Sequence, residues 1–268
     1  MASGGERRLL FDTRGKRRHV IRVVYAILAL LMGGSLFLVV GPVNIGSLFG
    51  SSSSAGSAGK VFDEQAERIE ARLVKSPDDE QLLLALTRAR INGGNSQIAT
   101  TSETEVPTVT AEAREDFEAG SQAWNRYLKQ ADEPSATAAQ LVAGTFFRLA
   151  EASTSLLEAE ENVAKATKAQ KVAAAQTPNL GSLSTLAIYQ YFNSEFAGGD
   201  KTAKQAAAEA SSKAEAKNIE KQLAEFRKNG EKFDKQKKEL AKAQKEVNKN
   251  QLENPLGFGG AAPGSLGE

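Results

Sequence analysis

The side chains that usually carry chemistry are scarce in this 268-residue chain. There is no cysteine, and the single histidine, His19, sits inside a basic run near the N-terminus. Without cysteine there is no disulfide framework, thiolate nucleophile or cysteine-bound metal. With no imidazole beyond His19, a Ser/His/Asp triad, a His-ligated zinc or a histidine base has no source further along. Carboxylates are common, but Glu158, Glu160 and Glu161 fall in an Ala/Lys-rich helical stretch and read as a solvated face. Gly93-Gly94 and Gly198-Gly199 lack phosphate-loop spacing and follow helical patterns, so they are expected to stop helices. No metal or cofactor signature emerges, and the chain reads as a non-enzyme. A formal net charge of +1 gives no global field to gather nucleic acid or a strongly charged substrate.

The organising stretch opens at Val20 and closes at Val40, reading VIRVVYAILALLMGGSLFLVV. A bilayer core needs about 20 consecutive apolar residues in a helix, because every backbone amide there must be satisfied internally. Arg7, Arg8, Arg14, Lys16, Arg17, Arg18 and Arg22 crowd its N-terminal side. The far side opens on Gly41 and Pro42 and carries no charge before Lys60. Positive charge beside a span stays cytoplasmic, which places the first residues inside and the bulk of the chain outside the cell membrane. The apolar core is longer than that of a cleaved signal peptide, and with no cysteine a lipid anchor has no attachment point. Gly33-Gly34 lacks the G-x-x-x-G spacing of a membrane dimer.

The expected organisation is a basic cytoplasmic tail at 1–19, a transmembrane helix at 20–41 and a flexible Gly/Ser linker at 42–60. A helical domain follows at 61–215, then a charged amphipathic helix at 216–250 and a Gly/Pro-rich tail at 251–268. In the domain, Phe62, Ala66, Ile69 and Leu73 form one helical stripe, and Leu82, Leu83, Leu86 and Ala89 form the next. Ser76-Pro77-Asp78-Asp79 separates them. Residues 95–109 show no sustained period and read as an irregular loop. A third helix begins near Thr110, and Glu133-Pro134-Ser135 turns the chain into a fourth. A fifth follows Ser153-Thr154-Ser155 and breaks at Thr177-Pro178-Asn179. The sixth closes near Gly198-Gly199, with Asp200 as a cap for a seventh. Trp124, Tyr127, Phe146, Phe147, Tyr189, Tyr191 and Phe192 recur at helical spacing, the pattern of core packing. Nothing alternates as a strand does, so the fold class is all-α.

Pro77, Pro134 and Pro178 each sit between an amphipathic helix and a more apolar one. With Leu83, Leu86, Ala89 and Gly94 after Pro77, with Gly144 and Phe147 after Pro134 and Trp124 and Tyr127 before it, and with Leu186 and Ser194-Glu195-Phe196 after Pro178, the chain resembles the tetratricopeptide repeat family over residues 61–215. The resemblance is degenerate, because the proline spacings of 57 and 44 residues exceed the family's 34-residue period. It implies stacked antiparallel helix pairs whose concave face binds a peptide segment or partner helix. Arg88, Gln140 and Gln190, polar residues on the first helix of each pair, are the candidates to line that face.

Beyond residue 215, Ile219, Phe226, Phe233, Leu240 and Val247 recur every seven residues, a coiled-coil period, although Asn229-Gly230 is a potential break. Lysines outnumber acids here, which suggests an anionic lipid, an acidic partner or simply a solvated face. Single-pass tetratricopeptide proteins of the bacterial envelope suggest the role: a membrane-anchored, extracytoplasmic scaffold or chaperone-like adaptor for envelope or exported proteins. The alternative is an accessory or regulatory subunit of a membrane enzyme or transporter. Proteins and the bilayer are the expected partners, with no nucleic acid.

Overall fold

A computed structural model describes residues 55–98 and 109–253, with side chains described over 59–98 and 109–243. The basic tail, the apolar stretch 20–41, linker residues 42–54, most of the irregular loop and residues 254–268 lie outside this range. Every regular element within it is helical, and no strand occurs among the described residues. The helices are α1 Ala55–Leu73, α2 Glu80–Ser96, α3 Ala111–Gln130, α4 Ala136–Ala152, α5 Leu156–Gln176, α6 Leu180–Phe192, α7 Phe196–Ala208 and α8 Lys213–Glu253. No helix among the described residues is long and apolar enough to cross a membrane.

Short polar side chains start most of these helices. Asp79, Thr110, Ser135, Ser155 and Asn179 each accept a hydrogen bond from the backbone N–H three residues on, satisfying a donor that the helix itself leaves free. At Asn179 the bond is reciprocal, because the Ser182 hydroxyl accepts from the Asn179 N–H. Pro77, Pro134 and Pro178 precede three of the caps, where a missing N–H costs nothing.

The glycine pairs behave differently from expectation. Gly93 and Gly94 lie within α2, which continues to Ser96. A Cβ on Gly94 would sit 2.7 Å from the Phe117 ring of α3, and one on Gly120 of α3 would sit 2.9 Å from Ile91 of α2. These glycines therefore set the closeness of two helices, which offsets their poor helix propensity. Gly198 and Gly199 fall in the first turn of α7. The sixth helix stops earlier, at Phe192, where Asn193 is the C-cap and Ser194 adopts a left-handed φ of 62°. Asp200 is inside α7, where it accepts from the Tyr191 hydroxyl at 3.2 Å and from Arg227 at 2.9 Å. The linker's last residues, 55–60, are helical and belong to α1. Asn229-Gly230 does not interrupt α8, which continues past the expected end at 250.

Consecutive helices pack as antiparallel neighbours: α2 with α3, α4 with α5, and α6 with α7. α1 covers the free side of α2, α2 also meets α4, α5 meets α6, and α8 lies across α6 and α7. One apolar cluster runs from Ala66 in α1 to Phe233 in α8. Its far half is stitched by rings. Phe147 of α4 stacks on Tyr189 of α6 at 4.3 Å, Phe147 meets Phe192 edge-on at 5.9 Å, and Phe192 meets Phe233 at 6.0 Å. Residues 182–192 of α6 are all buried, so this helix is enclosed on every side.

Candidate functional site

One set of polar residues that hold one another across helices lies along the seam between α2 and α4. At one end the exposed Arg88 of α2 donates from Nη2 to Ser135 Oγ at 3.2 Å, the same hydroxyl that caps α4. The Ser135 N–H in turn donates to Tyr127 Oη at 2.8 Å, anchoring the cap to α3. At the other end Asn95 Nδ2 donates to Thr145 Oγ1 at 3.1 Å, and Arg148 Nη2 donates to Asn95 Oδ1 at 2.7 Å. Arg88 pairs with the start of α4 and Asn95 with its middle, so the two helices run side by side in the same direction.

On α4 the residues Gln140, Gly144, Arg148 and Glu151 fall within an arc of about 80°, taking 100° per residue. None of the four is fully buried. They form the open stripe of α4, while Val142, Phe146 and Leu149 on the other side enter the core.

The electrostatics of this stripe depart from those of a plain wet surface. Glu151 Oε1 is buried and has no hydrogen-bond partner among the described residues. Burial pushes the Glu151 carboxyl up to about 8, against the pull of Arg148 in the other direction. At neutral pH it is therefore mostly protonated, an uncharged donor. Arg148 is open to solvent yet hemmed in by protein on its other sides; that crowding lowers its pKa, opposed by Glu151. Tyr189, buried behind the stripe, is raised by burial and then by Glu151. A permanent cation beside a neutral carboxyl and an amide can donate to, and accept from, an extended backbone.

The structure thus brings Arg88 and Gln140 to one seam and does not bring Gln190 to it. Gln190 is 6% exposed and lies beneath α7, where a Cβ on Gly198 would come within 3.0 Å of its Nε2. Its Oε1 has no partner among the described residues. Asn95, Arg148 and Glu151 were not singled out in the sequence. A signal was present in the spacing 140, 144, 148, 151, which is one helical face, but their meeting with Asn95 across 50 residues of chain is purely tertiary.

Other polar groups take structural roles. Glu158 pairs with Arg114 of α3, and Glu160 pairs with Lys237 of α8 at 3.1 Å, while Glu161 is exposed. Trp124, Tyr127, Phe146, Phe147, Tyr189, Tyr191 and Phe192 are all buried. A cleft of about 750 Å³ opens between α1, α2 and α3, lined by Asp63, Arg90, Gln97, Glu115 and Asp116 among others. There Arg90 bridges Glu70 at 2.6 Å and Asp116 at 2.9 Å, and Gln97 donates to Asp116 at 3.1 Å. Burial raises the Asp116 carboxyl, with Arg90 opposing. Among the described residues no cluster of His, Cys, Asp and Glu is placed to hold a metal ion.

No family model matches the chain, and searches of curated proteins and of solved structures likewise return no match.

Proposed function

We propose that this chain is a membrane-anchored, extracytoplasmic protein-interaction module, a scaffold or chaperone-like adaptor that receives an extended segment or helix of another protein along the α2/α4 seam. The observation that carries the reading is the pairing of Arg88 with Ser135 and of Asn95 with Arg148, which lays charged and amide groups along two co-directional helices. Helix pairs joined by capped turns support the resemblance to tetratricopeptide repeats, in which first helices face the ligand. The anchor rests on the apolar stretch 20–40 and its arginine-rich flank.

The test is photo-crosslinking in cells from position 88 or 140 of the full chain, with position 190 as the buried control. Capture from 88 and 140 at the expense of 190 supports the seam; equal capture, or none, removes it. Replacing 20–40 with an unrelated span separates this reading from a subunit that engages a membrane enzyme through its own span. An adaptor keeps its partners after the exchange.

A further inference from the structure

The outward face of α8 carries a row of cations that the packing of the helix leaves unused. Ile219, Leu223, Phe226 and Phe233 are buried, and a Cβ on Gly230 would meet the Tyr191 carbonyl oxygen at 2.6 Å, so this side of α8 is pressed onto α6. Turning from it by 100° per residue, Lys217, Lys221, Lys228, Lys232 and Lys235 cluster about the opposite side, within an arc of roughly 60°. All five are exposed.

Only Lys228 has an ion pair among the described residues, with Glu225 at 2.9 Å. Lys217, Lys221, Lys232 and Lys235 have none there. Among the acids of α8, Glu231 pairs with Arg227, Asp234 with Lys238, and Glu215 accepts from the Ser211 N–H, while Glu225 stands at the edge of the row and attracts Lys221 and Lys232 as well as Lys228. Glu220 lies on the flank of the row, and the exposed Glu239 falls on the same side of the helix one turn beyond Lys235. Five lysines against the bordering Glu225 and the flanking Glu220 leave a net positive line of about 27 Å from Lys217 to Lys235, in which four of the five ammonium groups have no ion pair among the described residues.

This row cannot swing away, because α8 is clamped. Ser194 in the α6–α7 turn donates to Asp234 at 2.8 Å and accepts from Lys237 at 3.0 Å, Lys237 continues to Glu160 of α5, and Phe233 is fully buried. The row is thus a fixed, nearly straight array of cations.

We infer that this array rests on the anionic headgroups of a bilayer, holding the domain down on the membrane to which it is tethered. The inference rests on the anchored reading proposed above. Residues 41–54 separate the apolar stretch from α1, and even fully extended they span at most about 50 Å. A tether of that length keeps the domain near the surface and lets α8, itself about 60 Å long, reach it. A flat sheet of phosphates matches a straight line of lysines with nothing to fit into a pocket, whereas an acidic protein would need matching contours. Each lysine near such a surface favours contact by roughly fivefold.

Because the chain has no cysteine, Ala224→Cys, on the same exposed face, gives a single dye site. The full chain carrying it is reconstituted in phosphatidylcholine vesicles with or without phosphatidylglycerol, each containing an acceptor-labelled lipid. Energy transfer rises with the anionic lipid and falls back in 0.5 M salt. The variant K217Q/K221Q/K232Q/K235Q loses the docked population roughly tenfold or more, and K217R/K221R/K232R/K235R retains it. Equal transfer in the two vesicle types, or an unchanged quadruple Gln variant, overturns the inference. Binding of poly-glutamate without any lipid response overturns it too and assigns the row to an acidic protein. If the chain fails to float with neutral vesicles, the anchor fails. Salt-sensitive flotation with anionic vesicles alone still supports the row.

Discussion

At the scale of single residues, Glu151 is the group with the clearest physical consequence. Its carboxyl is held at about 8 against an ordinary 4.5, mainly because burial disfavours the charged form. Between those two values the folded chain holds a proton that the unfolded chain has already released. Stability therefore falls as pH rises through that window and levels off above it. Glu151→Gln removes the titration. We expect the variant to be more stable than the parent by about 1–3 kcal/mol at pH 8, after allowance for the water that reaches this half-buried group, and nearly equal to it at pH 5. Urea unfolding at the two pH values measures it. A parent whose stability is flat from pH 5 to 8 shows that Glu151 ionises normally. The same change leaves Arg148 without a titrating neighbour, so partner capture from position 88 should lose any pH dependence it has over that range.

Elements are joined by small residues more than by charges. The ion pairs here are mostly exposed and contribute little each. Close backbone approach is harder to replace. Gly230 lets α8 touch the Tyr191 carbonyl, and a methyl group there would meet backbone at 2.6 Å and the Tyr191 Cβ at 3.0 Å, neither of which can rotate aside. Gly230→Ala is expected to cost about 1–3 kcal/mol and to loosen α8 from α6, seen as faster amide exchange in α8 at constant exchange in α3. Gly120→Ala faces the flexible end of Ile91 instead and should cost less. Equal losses at the two sites would mean that the α6–α8 contact is softer than its geometry implies. The same element scale explains why the glycine pairs mislead when read as punctuation. A glycine ends a helix when the chain must turn, and it stays inside one when a neighbouring helix must come near; the sequence around Gly94 and Gly199 looks the same in both cases.

Across the whole molecule, one core links the first described helix to the last. Stacked repeats with weak interfaces would unravel from their ends, but here Phe233 of α8 reaches Phe192 and, through it, Phe147 of α4. Trp124, the sole tryptophan, lies in α3, far along the chain from that aromatic line. If the core is continuous in energy as well as in space, Phe233→Ala lowers stability by about 3–5 kcal/mol and shifts the Trp124 fluorescence transition together with the loss of helical circular dichroism. A Trp124 transition that stays at its parental midpoint would show two cooperative units where the packing indicates one.

The sequence alone determined the all-helical class of the described residues, the breaks between helices at Pro77, Pro134 and Pro178, and the inward stripes of most helices. Each of these depends on residues within a few positions of one another: a side-chain oxygen reaching an N–H three residues on, a proline beside it, an apolar period of 3.6. Tertiary structure decided what depends on distance along the chain. It buried Gln190 beneath α7 while leaving Arg88 and Gln140 at an open seam, joined Asn95 to Arg148, and placed Gly94 and Gly230 where another helix passes. The physical reason is that helical period marks which side of a helix is apolar but carries no information about which helix will cover it. A polar residue's exposure, and an acid's pKa with it, is settled only when that neighbour arrives.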